Sequence, residues 1–460
     1  MTLLPELYML LFAVFFLFLS LGKRKAPVFA AAKALAVLGF ALTLACSGAR
    51  GELFSGAYRV DFFSQVFKVL LSAGFTLVVF MFEKDEVENL AEYFMFLGFS
   101  TLGLMILVSS VELISIVISL ELSSFSLYAV VPLRKAQTKT QLEAAMKYLF
   151  FGAIATGIML YGMGYLYGMA HSTYLADVAA KLPQFLGRPL GMMALILTLT
   201  AFFFKLSLFP MHFWAPDIYE GASDATTTFI ATIPKLAAAA LLIRLAMLAS
   251  PNPGQLAAII IVLAALSMTL GNLVGLVQKD MKRLLAYSGI AHAGYLMMGL
   301  LPFNGDGNAA VVYYIVVYLF MNLGAFYVVM LLSRRGENVS ISDLSGLSRR
   351  SPLLAFTLAV AAFSLAGIPP TGGFTGKFFL FVSAFEAGYL AIVLIAAVNT
   401  VISIFYYLNL VRVSYSREAE DRQPLRLAFH EKVLCYIFNV IILFLGLMPY
   451  GLLDLFRRAM

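Results

Sequence analysis

The sequence holds little of what most enzyme chemistry requires. Two cysteines, Cys46 and Cys435, stand far apart in 460 residues, both within apolar runs. Neither an iron–sulfur cluster nor a zinc site can be built from them, so they read as packing residues. The glycines at 157, 162, 164 and 168 follow no strand pattern, which suits close helix contact and not a phosphate cradle. Charge is scarce: 12% of residues are charged and 62% are hydrophobic. No polar connection is long enough to fold alone, and the alternating ten-residue pattern of a transmembrane barrel is missing. These absences exclude a soluble enzyme and a metal centre in this chain. The net charge of +7 follows from loop placement and does not point to nucleic acid.

What is present is long apolar runs from end to end. They fall near residues 3–21, 27–46, 62–82, 91–109, 111–131, 145–169, 190–209, 223–249, 255–277, 284–301, 309–332, 352–370, 388–411 and 432–453. Runs of this length predict an all-α polytopic membrane protein with about 14 transmembrane helices. The first run lacks a basic leader and a small-residue cleavage site, so it is expected to be a retained helix. Alternate loops carry most of the basic residues: Lys23 to Lys25; Arg134, Lys135 and Lys139; Lys279, Lys282 and Arg283; Arg334, Arg335, Arg349 and Arg350; Arg412, Arg417, Arg422 and Arg426. The opposite loops hold Arg50, Arg59, Lys181 and Arg188. This bias predicts that both termini face away from the cytoplasm.

One stretch organises the rest, AFFFKLSLFPMHFWAPDIYEGASDATTTFIATIPK at 201–235. A membrane helix carries Lys205, breaks at Pro210 and Pro216, passes His212, Asp217 and Glu220, and resumes as an apolar helix with Lys235. A lysine at membrane depth costs roughly 2.5–3.5 kcal/mol, and broken backbone there is tolerated only inside protein or beside a cavity. Together they read as an ion path. Glu121 stands halfway along the fifth run and must be paired or protonated there. Glu143 and Lys147 share one helical face; they fit either a plain ion pair worth a few tenths of a kcal/mol or a proton relay feeding Glu121. His292, within the tenth run, fits either a satisfied core histidine or a proton shuttle.

The twelfth run, AFSLAGIPPTGGFTGKFFLF, repeats the theme: Pro369, Pro370 and their neighbouring glycines break it, and Lys377 follows. Five spans separate the two broken runs, so they cross the bilayer in opposite directions. That is the layout of inverted repeats with ion sites at discontinuous helices. The expected organisation is three N-terminal helices (1–90), a first five-helix repeat (91–249), a second (250–413) and a final helix (414–460).

FKLSLFPMHFWAPDIYEGA, KDMKRLLAYSGIAHAGY and AGIPPTGGFTGKF together resemble the antiporter-like membrane subunits of bacterial NADH:quinone oxidoreductase, respiratory complex I, in the N branch of that family. The resemblance runs from about residue 60 and departs at ASDATTT, where the family usually has a proline-containing run. It implies that Glu121 and Lys205 form a controlling pair, Lys235 a connecting lysine and Lys377 the terminal release residue. Glu92, Glu143, Lys147, His212, Tyr287 and His292 match the family's supporting polar network. It also implies a bacterial cytoplasmic (inner) membrane and partner membrane subunits. FMN, iron–sulfur clusters and quinone would sit elsewhere in the parent assembly, with no cofactor or metal bound by this chain.

The lysines suggest how such a chain would work. Burial favours the neutral amine and a nearby carboxylate favours the ammonium form, so moving Glu121 relative to Lys205 would switch that lysine between holding and releasing a proton. The proton would pass through Lys235 and over His292 to Lys377. Driving a charge outward costs about 2.3 kcal/mol per 100 mV, and no nucleotide or redox motif here supplies it. An oxidoreductase partner is therefore expected. The alternatives are a subunit of a gradient-driven cation/proton antiporter and a membrane scaffold that transports nothing.

Overall fold

The computed structural model describes residues 1–22, 28–82, 87, 89–135, 139–248, 254–333, 337–416 and 424–459. Lys23 to Lys25, the acidic loop at 83–88 apart from Val87, Arg334, Arg335, Arg417 and Arg422 lie outside the described residues.

The chain is helical almost throughout. In order come α1 (Leu4–Leu21), α2 (Val28–Ala45), a hairpin of β1 (Gly51–Leu53) and β2 (Tyr58–Val60), α3 (Phe62–Met81), α4 (Leu90–Ser109), α5 (Leu113–Val130), α6 (Lys139–Ala170), α7 (Leu175–Leu186) and α8 (Pro189–Leu206). Then follow α9 (Trp214–Gly221), α10 (Asp224–Leu248), α11 (Gly254–Gly275), α12 (Met281–Gly299), α13 (Gly305–Leu332), α14 (Leu347–Arg350), α15 (Pro352–Ala366), α16 (Gly372–Glu386), α17 (Leu390–Ser414), α18 (Phe429–Leu447) and α19 (Tyr450–Arg457). Each of the fourteen apolar runs coincides with a helix. Among the described residues, twelve helices are long and apolar enough to cross a membrane; α12 and α15 are the other two. The protein is a multi-pass, all-α membrane protein.

The chain forms two compact units, one of residues 1–206 and 221–255, the other of 207–220 and 256–460. The first is built around α10. Every residue from Gly221 to Arg244 is buried, and α3, α4 and α8 pack against this helix. A helix apolar all round is a core helix, and the run AAAALL at 237–242 lets its neighbours approach closely. In the second unit α13 has that place. It is buried from Gly307 to Leu331 apart from Phe320, and α12, α15, α16 and α18 surround it.

Two interruptions share a construction. α8 stops at Leu206, Ser207 turns left-handed with φ 60°, and the cis Phe209–Pro210 bond follows before α9 begins. α15 stops at Ala366, Gly367 turns left-handed with φ 86°, and the cis Pro369–Pro370 bond precedes α16. The Gly367 N–H reaches the Phe363 and Ser364 carbonyls, closing the last turn. Pro216 does not break a helix, contrary to expectation. It lies in the first turn of α9, where a proline costs little because the N–H it lacks would have no partner within the helix.

Two further boundaries differ. α6 begins at Lys139, ahead of its apolar run, because KTQLEAAMK is made of good helix formers. The amphipathic α7 follows no long apolar run at all.

Candidate functional site

In the first unit, Lys205 is the penultimate residue of α8 and Lys235 sits just past Pro234 in α10. They are 3% and 2% exposed, so neither snorkels outward. Lys205 Nζ has no hydrogen-bond partner among the described residues. Glu121, half-buried on α5, accepts a 2.6 Å hydrogen bond from the Thr156 hydroxyl on α6, and its charge acts on Lys205. The carboxylate is thus held by one neutral donor and remains available to the lysine.

Glu143 and Lys147 do form the i,i+4 ion pair, at 2.6 Å, but on an exposed face: the Glu143 side chain is 61% accessible. Glu92 lies in the first turn of α4, half-buried, and accepts from Asn89 at 3.3 Å.

In the second unit, Lys377 lies in the second turn of α16 and is 4% exposed. Its ammonium donates to the carbonyls of Leu365 and Ala366, both at 3.1 Å, and lies 4.7 Å from the centre of the Tyr295 ring. Those carbonyls end α15, where the break leaves them without helical N–H partners and where the helix dipole favours a cation. The lysine therefore caps the half-helix that precedes its own.

His292 on α12 is held at both ring nitrogens, Nδ1 by the Tyr314 hydroxyl at 2.5 Å and Nε2 by the Tyr407 hydroxyl at 3.2 Å. Tyr407 also bonds Ser288. His212 is buried in the break before α9, stacked 4.2 Å from Phe213 and 5.7 Å from Phe209, with no partner for Nδ1 among the described residues. Tyr287 is half-buried on α12. Arg283 joins two of the sequence motifs: its guanidinium donates to Asp217 at 2.9 Å and Glu220 at 2.6 Å.

Sequence reasoning missed a charged cluster in the first unit. Lys68 on α3 is wholly buried and pairs with Glu6 of α1 at 2.7 Å, and the Tyr58 hydroxyl donates to the same carboxylate oxygen at 2.6 Å. Arg244 on α10 makes a two-pronged pair with Asp61 at 2.9 and 3.1 Å, and also reaches the Val108 carbonyl. The signal was present, since Lys68 and Arg244 stand inside apolar runs and fall under the rule that singled out Lys205. Asp61 caps α3 and lies outside the spans. Burial opposes its charged form, but the hydrogen bonds and charge of Arg244, with those of Ser64, outweigh it and hold this carboxyl below its ordinary value.

The pattern of the family described as NADH:quinone oxidoreductase/Mrp antiporter, TM, matches residues 110–403. NADH-quinone oxidoreductase subunit N 2 of Solidesulfovibrio magneticus is 44% identical over 460 residues, covering 100% of this chain and 98% of that protein. The chain belongs to the N-subunit branch of this family. Among solved structures, respiratory complex I from Thermus thermophilus with bound aureothin contains a similar chain, 32% identical with a TM-score of 0.85, covering 98% of this chain and 99% of that one. A chain of the Mrp complex from a Dietzia species shares the fold, with a TM-score of 0.87 at 19% identity over 100% of this chain and 97% of that one. The N-subunit resemblance read from three short segments thus extends over the full length. In this antiporter-like fold the buried lysines stand out: among the described residues no group of three or more His, Cys, Asp or Glu could hold a metal.

Proposed function

We propose that this chain is a proton-translocating membrane subunit of an NADH:quinone oxidoreductase, in a bacterial cytoplasmic membrane with both termini on the outer side. The observation that carries the reading is the pair of buried lysines at broken helices, Lys205 at the end of α8 and Lys377 at the start of α16. Glu121 and Lys205 are the controlling pair, Lys235 the connecting lysine and Lys377 the release residue. His292, bracketed by Tyr314 and Tyr407, can give a proton from one ring nitrogen while taking one at the other. Glu92, Glu143, Lys147, His212 and Tyr287 support water and charge around this route. Two inverted repeats, 91–249 and 250–413, account for one lysine-bearing break in each.

The energy comes from partners. NADH oxidation, FMN, iron–sulfur clusters and quinone belong to other subunits, with further membrane subunits beside this one. The test is Lys205→Ala in the assembled complex, reconstituted in vesicles and supplied with NADH and quinone. Protons moved per electron pair should fall; an unchanged ratio refutes the reading. A second reading, a subunit of a gradient-driven cation/proton antiporter, is favoured by the fold shared with the Mrp chain. It would be supported if the native chain co-purified only with membrane subunits and no NADH-oxidising activity.

A further inference from the structure

We propose that the first unit has its own proton-release port, formed by Lys68, Glu6 and Tyr58 and opening through a cavity beside α1. The port rests on the translocation reading and its orientation. Three observations carry it.

The first is the pair itself. Lys68 and Glu6 are buried, 2.7 Å apart, and Glu6 also accepts from Tyr58. A buried ion pair is often no more stabilising than apolar side chains of the same volume, so holding helices together does not by itself explain it. A structural pin would also satisfy both carboxylate oxygens. Here Oε2 of Glu6 is buried with no hydrogen-bond partner among the described residues.

The second is the space next to it. A cavity of about 580 Å³ is lined by Glu6, Tyr58, Ala57, Glu112, Ser115 and Thr173 together with apolar side chains. It is roomy enough for several waters. Glu6 is in the first turn of α1, so this site is close to the membrane face that carries the N-terminus, the outer face in the proposed orientation.

The third is the connection inward. Arg244 near the end of α10 pairs with Asp61 at the start of α3, so these packed helices run antiparallel. Lys68 lies about two turns into α3 from Asp61, and Lys235 about two and a half turns before Arg244 on α10. The two lysines therefore lie at nearly the same depth, within about 3 Å along the helix axes. The charges of Asp61 and Arg244 also act on Lys68.

The step balances as a proton transfer. The Lys68 ammonium gives a proton to the Glu6 carboxylate, leaving an amine and a carboxylic acid. The acid releases it to water in the cavity and becomes carboxylate again, and the amine is reloaded by a proton coming from Lys235.

The test uses the whole complex in vesicles, measuring protons moved per electron pair so that a general loss of turnover does not count. The double variant Glu6→Gln with Lys68→Met removes both charges and strands neither. Its ratio should fall as far as that of Lys205→Ala, and Ala57→Phe, which narrows the cavity and leaves the pair intact, should lower it in the same direction. A double variant that assembles with the unaltered ratio overturns the port. If that variant does not assemble, Ala57→Phe decides, and an unaltered ratio there overturns it. An unaltered ratio in Lys205→Ala instead overturns the translocation reading beneath it.

Discussion

Lys205 and Lys377 look alike in the sequence, yet their replacement by methionine should change stability in opposite directions. Methionine keeps the length and apolar stem of lysine and removes the charge. Holding a lysine at membrane depth costs roughly 2.5–3.5 kcal/mol, and either substitution relieves that cost. At Lys205 nothing else is lost except the attraction of Glu121, because Nζ has no hydrogen-bond partner among the described residues. Lys205→Met should therefore be neutral or stabilising by up to about 3 kcal/mol. At Lys377 two hydrogen bonds from a charged donor disappear, worth roughly 1.5–3 kcal/mol each. The contact with Tyr295 adds about 0.5–2 kcal/mol. After the relief of burial, Lys377→Met should cost roughly 1–4 kcal/mol, from the same principles of charged hydrogen bonds and membrane burial. Cys46 and Cys435 are both buried and free, so a thiol-reactive fluorophore reports unfolding of the purified chain during a thermal ramp. For a chain of this size each kcal/mol moves the midpoint by about 1–2 °C. Both variants should lose transport. If Lys377→Met unfolds no earlier than Lys205→Met, the capping of α15 by Lys377 is wrong.

Asp61 predicts an acid sensitivity. A carboxyl held below its ordinary value in the folded state contributes stability that is fully present above about pH 4, the unfolded value, and lost as pH falls through the folded one. Asp61→Asn should flatten the dependence of the unfolding midpoint on pH below about 4, and an acid profile identical to the parent's refutes this. Gly373 tests the second break from the packing side: a Cβ there would collide with the Ser364 carbonyl oxygen, which belongs to the backbone and cannot swing away. Gly373→Ala should cost about 1–3 kcal/mol and impair transport although Lys377 is intact, and a variant as stable and active as the parent would show that α15 and α16 are not packed this closely.

Both the legible and the missed parts have physical reasons. Membrane burial must be announced by the chain itself, because a run of apolar residues is the only sequence that can enter hydrocarbon. That is why each of fourteen runs coincides with a helix, and why a lysine followed by proline and glycine marks both interruptions. The runs measure immersion and not hydrogen bonding, so they miss the polar first turns of α6 and all of α7. Proline is a breaker by position as much as by type, and Pro216 falls where the helix has no N–H to lose. Lys68 and Arg244 were legible as charges at depth, but their partners were not, since Glu6 and Asp61 stand at helix starts and read as interfacial residues. Partnership is the property a single chain does not spell out. It separates a lysine whose ammonium meets two carbonyls from one that meets none, and so a lysine that anchors a broken helix from one whose charge only a moving carboxylate can stabilise.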